Sequence, residues 1–280
     1  MAINLAKKYS EKVQERFYLD SLTQSSFSKD LDMEFTGVKS VIVYEVNTVE
    51  MNDYTRSGSN RYGTPEELED AIHEYIMTKD RSFTFTIDKG NNMEQNMIKK
   101  AGKAMNRQVR EVVTPEIDTY RFAQWAANAG TTATPDAPTA ENVYGILVDA
   151  KTVMDDKKVP MKNRTLYVGP AYYKALLKCE EYIRLDKLGS KTIVNGKVGE
   201  ILGMDVKFVP TSYLPEGVGF MIILKDAAIS PVKLHELNLH EDPPGISGHL
   251  CEGRFIYDAF VNETKKDGIY VGEIESPDNT

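Results

Sequence analysis

Between residues 92 and 130 apolar side chains return every three or four positions. Met93, Met97, Ala101, Ala104, Met105 and Val112 fall on one side of a helix. Pro115 interrupts this run. It has no amide hydrogen to give and its ring crowds the preceding turn, so the hydrogen-bond ladder is expected to break or kink there. Thr114 then caps a second helix, with Pro115 in its first turn and Glu116 and Asp118 near the positive end of its dipole. That second helix has two apolar sides, one carrying Ile117 and Tyr120, the other Phe122, Trp125 and Ala129. One buried side suffices in an isolated globule, so the other predicts a further surface, such as another subunit.

Ahead of this rod, residues 4–20 read as a polar helix with a thin apolar stripe (Leu5, Tyr9, Val13, Phe17), and residues 21–30 as a polar connector. Together they predict an arm that gains order by lying on something else. Residues 37–46 make a β-branched strand, and residues 51–63 a polar, glycine-bearing tip. Thr64-Pro65-Glu66-Glu67 is a capping box that predicts the start of a short helix. Whether helix or strand follows through Ile72 and Ile76, the periodicity leaves open. Residues 81–88 alternate Phe83, Phe85 and Ile87 with Ser82, Thr84 and Thr86, the mark of a half-buried strand. The two strands predict a projecting ribbon that is marginal alone in water and leans on a neighbour.

After the rod, residues 130–138 form a small-residue, proline-bearing linker. Thr139 caps a helix carrying Val143, Ile146, Leu147, Ala150, Val153 and Met154. A strand at residues 165–168 follows, and Gly169-Pro170 opens another helix. Helix, strand, helix in close succession predicts an α/β core. Asn195-Gly196 signals a tight turn, and strands are expected at residues 205–209, 219–224, 232–239, 254–261 and 268–274.

Charge and composition narrow the function. With 34 basic against 42 acidic residues the net charge is −8, and no basic run offers a phosphate-binding surface. Two cysteines, Cys179 and Cys251, are too few for a disulfide framework and fit a reducing compartment. The amino end lacks a signal-peptide core and no apolar run reaches the ~18 residues of a membrane span, so the chain reads as soluble and made inside a cell. His235, Glu236, His240, Glu241, Asp242, His249 and Cys251 are all capable of holding a metal. Two histidines on a helix, however, need a spacing of four to share an ion. Here His235 and His240 are five apart on an extended segment, which sends them to opposite faces. Gly199 and Gly203 lack a P-loop lysine and read as a turn before a strand. Cys179 beside Glu180 and Glu181 reads as a structural thiol. No catalytic, cofactor-binding or metal residue is expected.

The order of elements, together with RSFTFTIDKGNN (81–92), VVTPEIDTYRFAQWA (112–126), NRTLYVGPAYYKALLK (163–178), VGEILGMDV (198–206) and HEDPPGISGHLCEGRFIYDAFV (240–261), resembles the major capsid proteins of tailed bacteriophages. The likeness covers nearly the whole chain from about Gly37. It implies an α+β chain with the Hong Kong 97-type fold, divided into an amino-terminal arm (1–36), an extended loop overlapping an adjacent subunit (37–90), a spine helix and linker of the peripheral domain (91–138), an axial domain (139–230) and return strands of the peripheral domain (231–280). The implied function is a non-enzymatic coat protein that assembles with itself, as pentamers and hexamers, into an icosahedral procapsid that expands around double-stranded DNA.

The implied partners are a separate scaffolding protein, a portal, decoration proteins and packaged DNA held without sequence recognition; the implied location is the virion, assembled in the host cytoplasm, with no membrane. Some relatives carry a scaffolding segment ahead of the arm; here the arm begins within a few residues of Met1, so no large amino-terminal cleavage is expected. Lys39, Lys79 and Lys89 lie in or near the loop, but none matches a cross-linking lysine. Aromatic and arginine enrichment at interfaces nominates Tyr54, Arg56, Arg61 and Tyr62 at the tip and Phe122 and Trp125 on the spine as subunit contacts. The alternatives are an encapsulin-type compartment shell and, in another class, a metal-dependent enzyme using the cluster from His235 to Cys251.

Overall fold

In the computed structural model residues 21–27, 33–36, 40–46, 48–68, 70–94, 101–180 and 197–274 are described. The expectations for residues 4–20, the Asn195-Gly196 turn, Lys39 and the side chains of Met93, Met97 and His235 lie outside the described residues. In chain order the strands and helices are β1 (Met33–Thr36), β2 (Ser40–Val46), β3 (Asp70–Ile76), β4 (Lys79–Asp88), α1 (Lys89–Glu94), α2 (Ala101–Gln108), α3 (Thr114–Ala127), β5 (Thr131–Ala133), α4 (Val143–Asp156), β6 (Arg164–Val168), α5 (Pro170–Leu176), β7 (Lys197–Ile201), β8 (Met204–Phe208), β9 (Val218–Leu224), β10 (Ala228–Ile229), β11 (Val232–Glu241), β12 (Gly248–Tyr257), β13 (Phe260–Val261) and β14 (Ile269–Glu273).

Where Thr64 promises a helix, the chain stays irregular to Leu68 and then enters β3, which pairs antiparallel with β2 from Ser40↔Ile76 to Val46↔Asp70. A single helical turn has to nucleate without packed neighbours, whereas β2 offers a ready row of backbone partners. With β1 on the other edge the result is a three-stranded sheet, not a two-stranded ribbon. β4 turns away from it and pairs with β12, the middle strand of a second sheet ordered β11-β12-β4. The alternation read from the sequence holds in β4: Phe83, Phe85 and Ile87 face inward against Ala101 and Met105 of α2 and against Cys251. A side chain at Gly253 would meet the Phe83 ring at 2.5 Å, so glycine leaves room for that ring over β12.

The spine does not break at Pro115. A π-helical turn (Val109–Val113) precedes α3, and the Thr114 amide donates to the Val109 carbonyl five residues back. The wider turn absorbs the proline, which has no donor of its own and would otherwise press on the carbonyl four residues before it. Thr114 makes no side-chain cap, because the residues before it are already helical.

The residues expected as a linker open with β5, which pairs parallel with β14 at the edge of a six-stranded sheet ordered β5-β14-β9-β6-β8-β7. Its central strands are buried on both faces, so they read as continuous apolar runs. Leu166, Val168, Phe220 and Ile222 meet Val143, Leu147, Ala150 and Met154 of α4 and Tyr172 and Leu176 of α5. Tyr167, Met221 and Ile223 point the other way, toward Phe122 and Trp125 of α3. Thr139 and Asn142 exchange hydrogen bonds (3.2 and 2.7 Å) in the turn before α4. The glycine pair at residues 199–203 is a hairpin: Leu202 (φ 53°) and Gly203 (φ 78°) both take left-handed conformations between β7 and β8. β14, from the carboxy-terminal part of the chain, joins this sheet between β5 and β9, while β11 and β12 lie with β4.

Candidate functional site

Two surfaces and one buried catch carry the functional argument. The catch is built on α3. Asp118 and Arg121 are one helical turn apart and almost wholly buried, and their partners come from residues 21–27 near the amino end. The Asp118 carboxylate accepts from the Ser21 hydroxyl (2.9 Å), the Leu22 amide (2.8 Å) and the Thr23 hydroxyl (2.5 Å). Arg121 donates to Thr23 Oγ1 (2.9 Å) and Ser230 Oγ (2.7 Å) and lies 4.7 Å above the Phe27 ring. Burial pulls its guanidinium below the ordinary value, with Asp118 opposing. On the sheet side the Tyr167 hydroxyl is hydrogen-bonded to Ser26 and donates to the Leu22 carbonyl (3.0 Å), which also accepts from Lys207 (2.9 Å). Leu22 and Phe27 enter the core beside Trp125. The segment expected to be a polar connector is thus a buried strap.

Phe122 and Trp125 are fully buried by their own chain, in edge-to-face contacts with each other and, for Phe122, with Tyr167. They are not on the surface, which corrects the expectation that they contact a neighbouring subunit. The second apolar side of α3 is filled by the six-stranded sheet and the strap. Its first side opens on a cleft of about 660 Å³ lined by Arg81, Glu116, Tyr120, Tyr213 and Tyr257 among others. Arg81 donates to Glu116 at 2.8 Å across it. Desolvation raises the pKa values of Tyr120 and Tyr257 to about 12 each. Beneath the cleft Asp258 ties three elements together, accepting from the Thr78 amide (2.7 Å), the Tyr120 hydroxyl (2.7 Å) and the Ala259 amide (2.8 Å).

The first surface is the outer face of the β1-β2-β3 sheet. Val41 and Val43 are buried on its inner side, with Val41 against Met77, Ile256 and Phe260. On its outer side Tyr44, Ile72 and Ile76 stand exposed (49%, 62% and 62%). The second surface is the tip. Tyr54 and Tyr62 touch edge to face at 5.0 Å, and Arg56 and Arg61 are exposed beside them. The tip closes on itself through the Thr55 amide on the Arg61 carbonyl (3.0 Å), the Gly63 amide on the Asn60 carbonyl (3.0 Å) and Arg61 Nε on the Gly58 carbonyl (3.3 Å). The Asp118–Arg121 pair and Asp258 escaped the sequence reading; a charged i, i+3 pair amid apolar residues was the available signal for the first.

The metal-capable cluster is dispersed. His249 and Cys251 lie on the spine face of β12, with Cys251 fully buried and its thiol pKa raised by desolvation. His240 lies on the opposite face, 3.4 Å from Glu252. Asp242 is taken by Lys89 and the Gly248 amide. Among the described residues no three His, Cys, Asp or Glu side chains converge on a metal site, and no helix is long and apolar enough to cross a membrane.

A family model described as phage capsid protein matches residues 76–271, or 196 of the 280 residues. The chain belongs to the phage capsid protein family. Solved structures agree on the fold of this capsid protein. The capsid of cyanophage P-SCSP1u superposes with a TM-score of 0.71 at 13% identity, over 96% of this chain and 93% of that one. The mature capsid of bacteriophage PhiM1 gives 0.67 at 12% identity, over 97% and 92%. A virus-like particle from Pyrococcus furiosus gives 0.53 at 11% identity, over 85% and 87%. The architecture is the Hong Kong 97-type capsid fold. No curated protein matches the sequence.

Proposed function

We propose that this capsid protein is the major shell subunit of a tailed phage, and that copies of it assemble as pentamers and hexamers into an icosahedral head around double-stranded DNA. The observation that carries this is the loop between β2 and β3. The inner face of the β1-β2-β3 sheet belongs to the chain's core, while Ile72 and Ile76 on its outer face and Tyr62 at the tip stand 62%, 62% and 84% exposed. Contiguous exposed apolar surface marks an interaction site, and overlap with an adjacent subunit would bury it. Residues 37–90 then act as the extended loop, residues 91–138 and 231–280 as the peripheral domain, and residues 139–230 as the axial domain. A net charge of −8 suits a shell that encloses DNA without gripping it.

The subunit does its work by shape and not by catalysis. Scaffolding, portal and decoration proteins are its further partners, the head is assembled in the host cytoplasm, and the finished protein resides in the virion. The family match to phage capsid proteins over residues 76–271 favours the phage head over a compartment shell.

The test is electron microscopy and sedimentation of the protein alone and with its neighbouring genes. Uniform round shells, or rings and tubes of five- and six-fold units, support the reading; a small monodisperse oligomer under every condition overturns it. Changing Arg56 and Arg61 together to Ala is expected to leave the subunit folded and abolish assembly. Normal shells from that variant would remove the tip from the contact.

A further inference from the structure

We propose that residues 21–27 are a releasable strap, and that the buried Asp118–Arg121 pair of α3 is the catch on which it closes. Leu22 and Phe27 are the strap's buried apolar side chains. Fixing seven residues of backbone costs more conformational entropy than burying two apolar side chains returns. The balance is made up by polar contacts, and these converge on a few atoms: three donors on one carboxylate, one hydroxyl shared with Arg121, and two hydrogen bonds to the Leu22 carbonyl from Tyr167 and Lys207. Hydrogen bonds to a buried charge are the strong kind. Such an arrangement opens as a unit, because its three donors to the carboxylate sit on the consecutive residues Ser21, Leu22 and Thr23. Without the two hydroxyls the weakened site keeps the Leu22 amide at 2.8 Å and Arg121 at 3.3 Å.

Opening has a defined consequence. Phe27 sits 6.4 Å from the Trp125 ring, and Leu22 and Phe27 share the cluster that holds Phe122 and Trp125. With the strap away, the part of the aromatic side of α3 beneath it meets solvent. The strap thus switches part of one face of the spine between buried and available, bridging α3 to β6 and β8 when closed. This holds whether or not the chain builds a shell.

The chain's single tryptophan reports the switch directly. In the full-length protein, amide exchange at Leu22 is expected to run about tenfold or more faster than at residues 218–224 of β9, because it occurs by local opening. Changing Ser21→Ala and Thr23→Val together is expected to speed Leu22 exchange by about a further tenfold and to raise acrylamide quenching of Trp125 several-fold, with β9 exchange unchanged. Equal exchange at Leu22 and β9 in the unaltered protein would overturn the proposal, since the strap would then open only with the whole fold. Unchanged Leu22 exchange in the double variant would overturn the assignment of the catch. If that variant loses β9 protection as well, the comparison in the unaltered protein still decides.

Discussion

The aromatic face of α3 and the tip between β2 and β3 carry the same residue types in opposite surroundings. Phe122 and Trp125 have Arg121 beside them; Tyr54 and Tyr62 have Arg56 and Arg61. The spine aromatics are fully enclosed by a sheet and a strap, whereas the tip aromatics Tyr54 and Tyr62 touch each other and stand 53% and 84% exposed. The difference is in what surrounds them. α3 lies between two elements that supply long-range cover, and even its arginine is accommodated because Asp118, Thr23 and Ser230 meet its donors. The tip is a turn-rich excursion of irregular backbone between two strands, held in shape by its own hydrogen bonds, and its side chains stand exposed. Aromatic and arginine content alone therefore does not mark an interface; the supply of intramolecular cover decides.

The largest separation of the two regions comes from truncating one aromatic in each. Trp125→Ala empties a fully buried site and is expected to cost ~3–5 kcal/mol, seen as a large fall in the urea midpoint. Tyr62→Ala, at 84% exposure, is expected to stay within about 0.5 kcal/mol while reducing assembly. Equal destabilisation by the two changes would abolish the comparison. Next in size is Asp258→Ala beneath the cleft. It strands the Thr78 and Ala259 amides and the Tyr120 hydroxyl, for an expected loss of ~1–3 kcal/mol per group left unpaired. A loss below 1 kcal/mol in denaturant titration would show that water replaces it freely. On the exposed sheet face, Ile72→Asp with Ile76→Asp should change folding stability by only about 0.5 kcal/mol each and still block shell formation. Shells in normal yield would mean that this face is solvent-exposed in the assembly too.

How far the sequence foretold this molecule depends on the range of the determining contacts. β4, α4, β6 and the turn into β8 are set by neighbours within a few residues, by alternation at Phe83, Phe85 and Ile87, by an apolar stripe from Val143 to Met154, and by Gly203. They were legible. β3 was not, because Asp70–Ile76 owes its conformation to β2 some 30 residues earlier, while the local signal at Thr64 favoured a helix. The strap was illegible for the same reason at greater range: Ser21, Thr23 and Ser26 look like solvated linker residues until Asp118 and Tyr167, roughly 95 and 140 positions away, are brought to them. At Pro115, where a break or kink was expected, the ladder is disturbed but not interrupted: a wider π-helical turn accommodates the missing donor. Of the six nominated contact residues, exposure separates the four at the tip from the two in the core.

The narrowest comparison concerns the tyrosines of the cleft, whose alkaline titration reports how far the chain's own elements cover them. Tyr257 is buried and Tyr120 half-buried. Desolvation, helped by the nearby acids Asp258 and Glu116, raises their pKa values from 10.0 to about 12. The folded state thus holds the neutral phenol while the unfolded chain ionises at its ordinary value. Between pH 10 and 12 the unfolded chain binds fewer protons, so stability is fully present below pH 10 and falls as the pH rises toward 12. Tyr120→Phe removes one such group. It is expected to cost about 1 kcal/mol at neutral pH through the lost bond to Asp258 and to make the alkaline decline shallower by at most one proton. Spectroscopic titration of phenolate absorbance, run beside denaturant midpoints at several pH values, separates the two effects. An unchanged alkaline slope in Tyr120→Phe would place that phenol in solvent and make the cleft an open surface like the tip; a shallower slope would place it with the core, where the chain's own elements provide the cover.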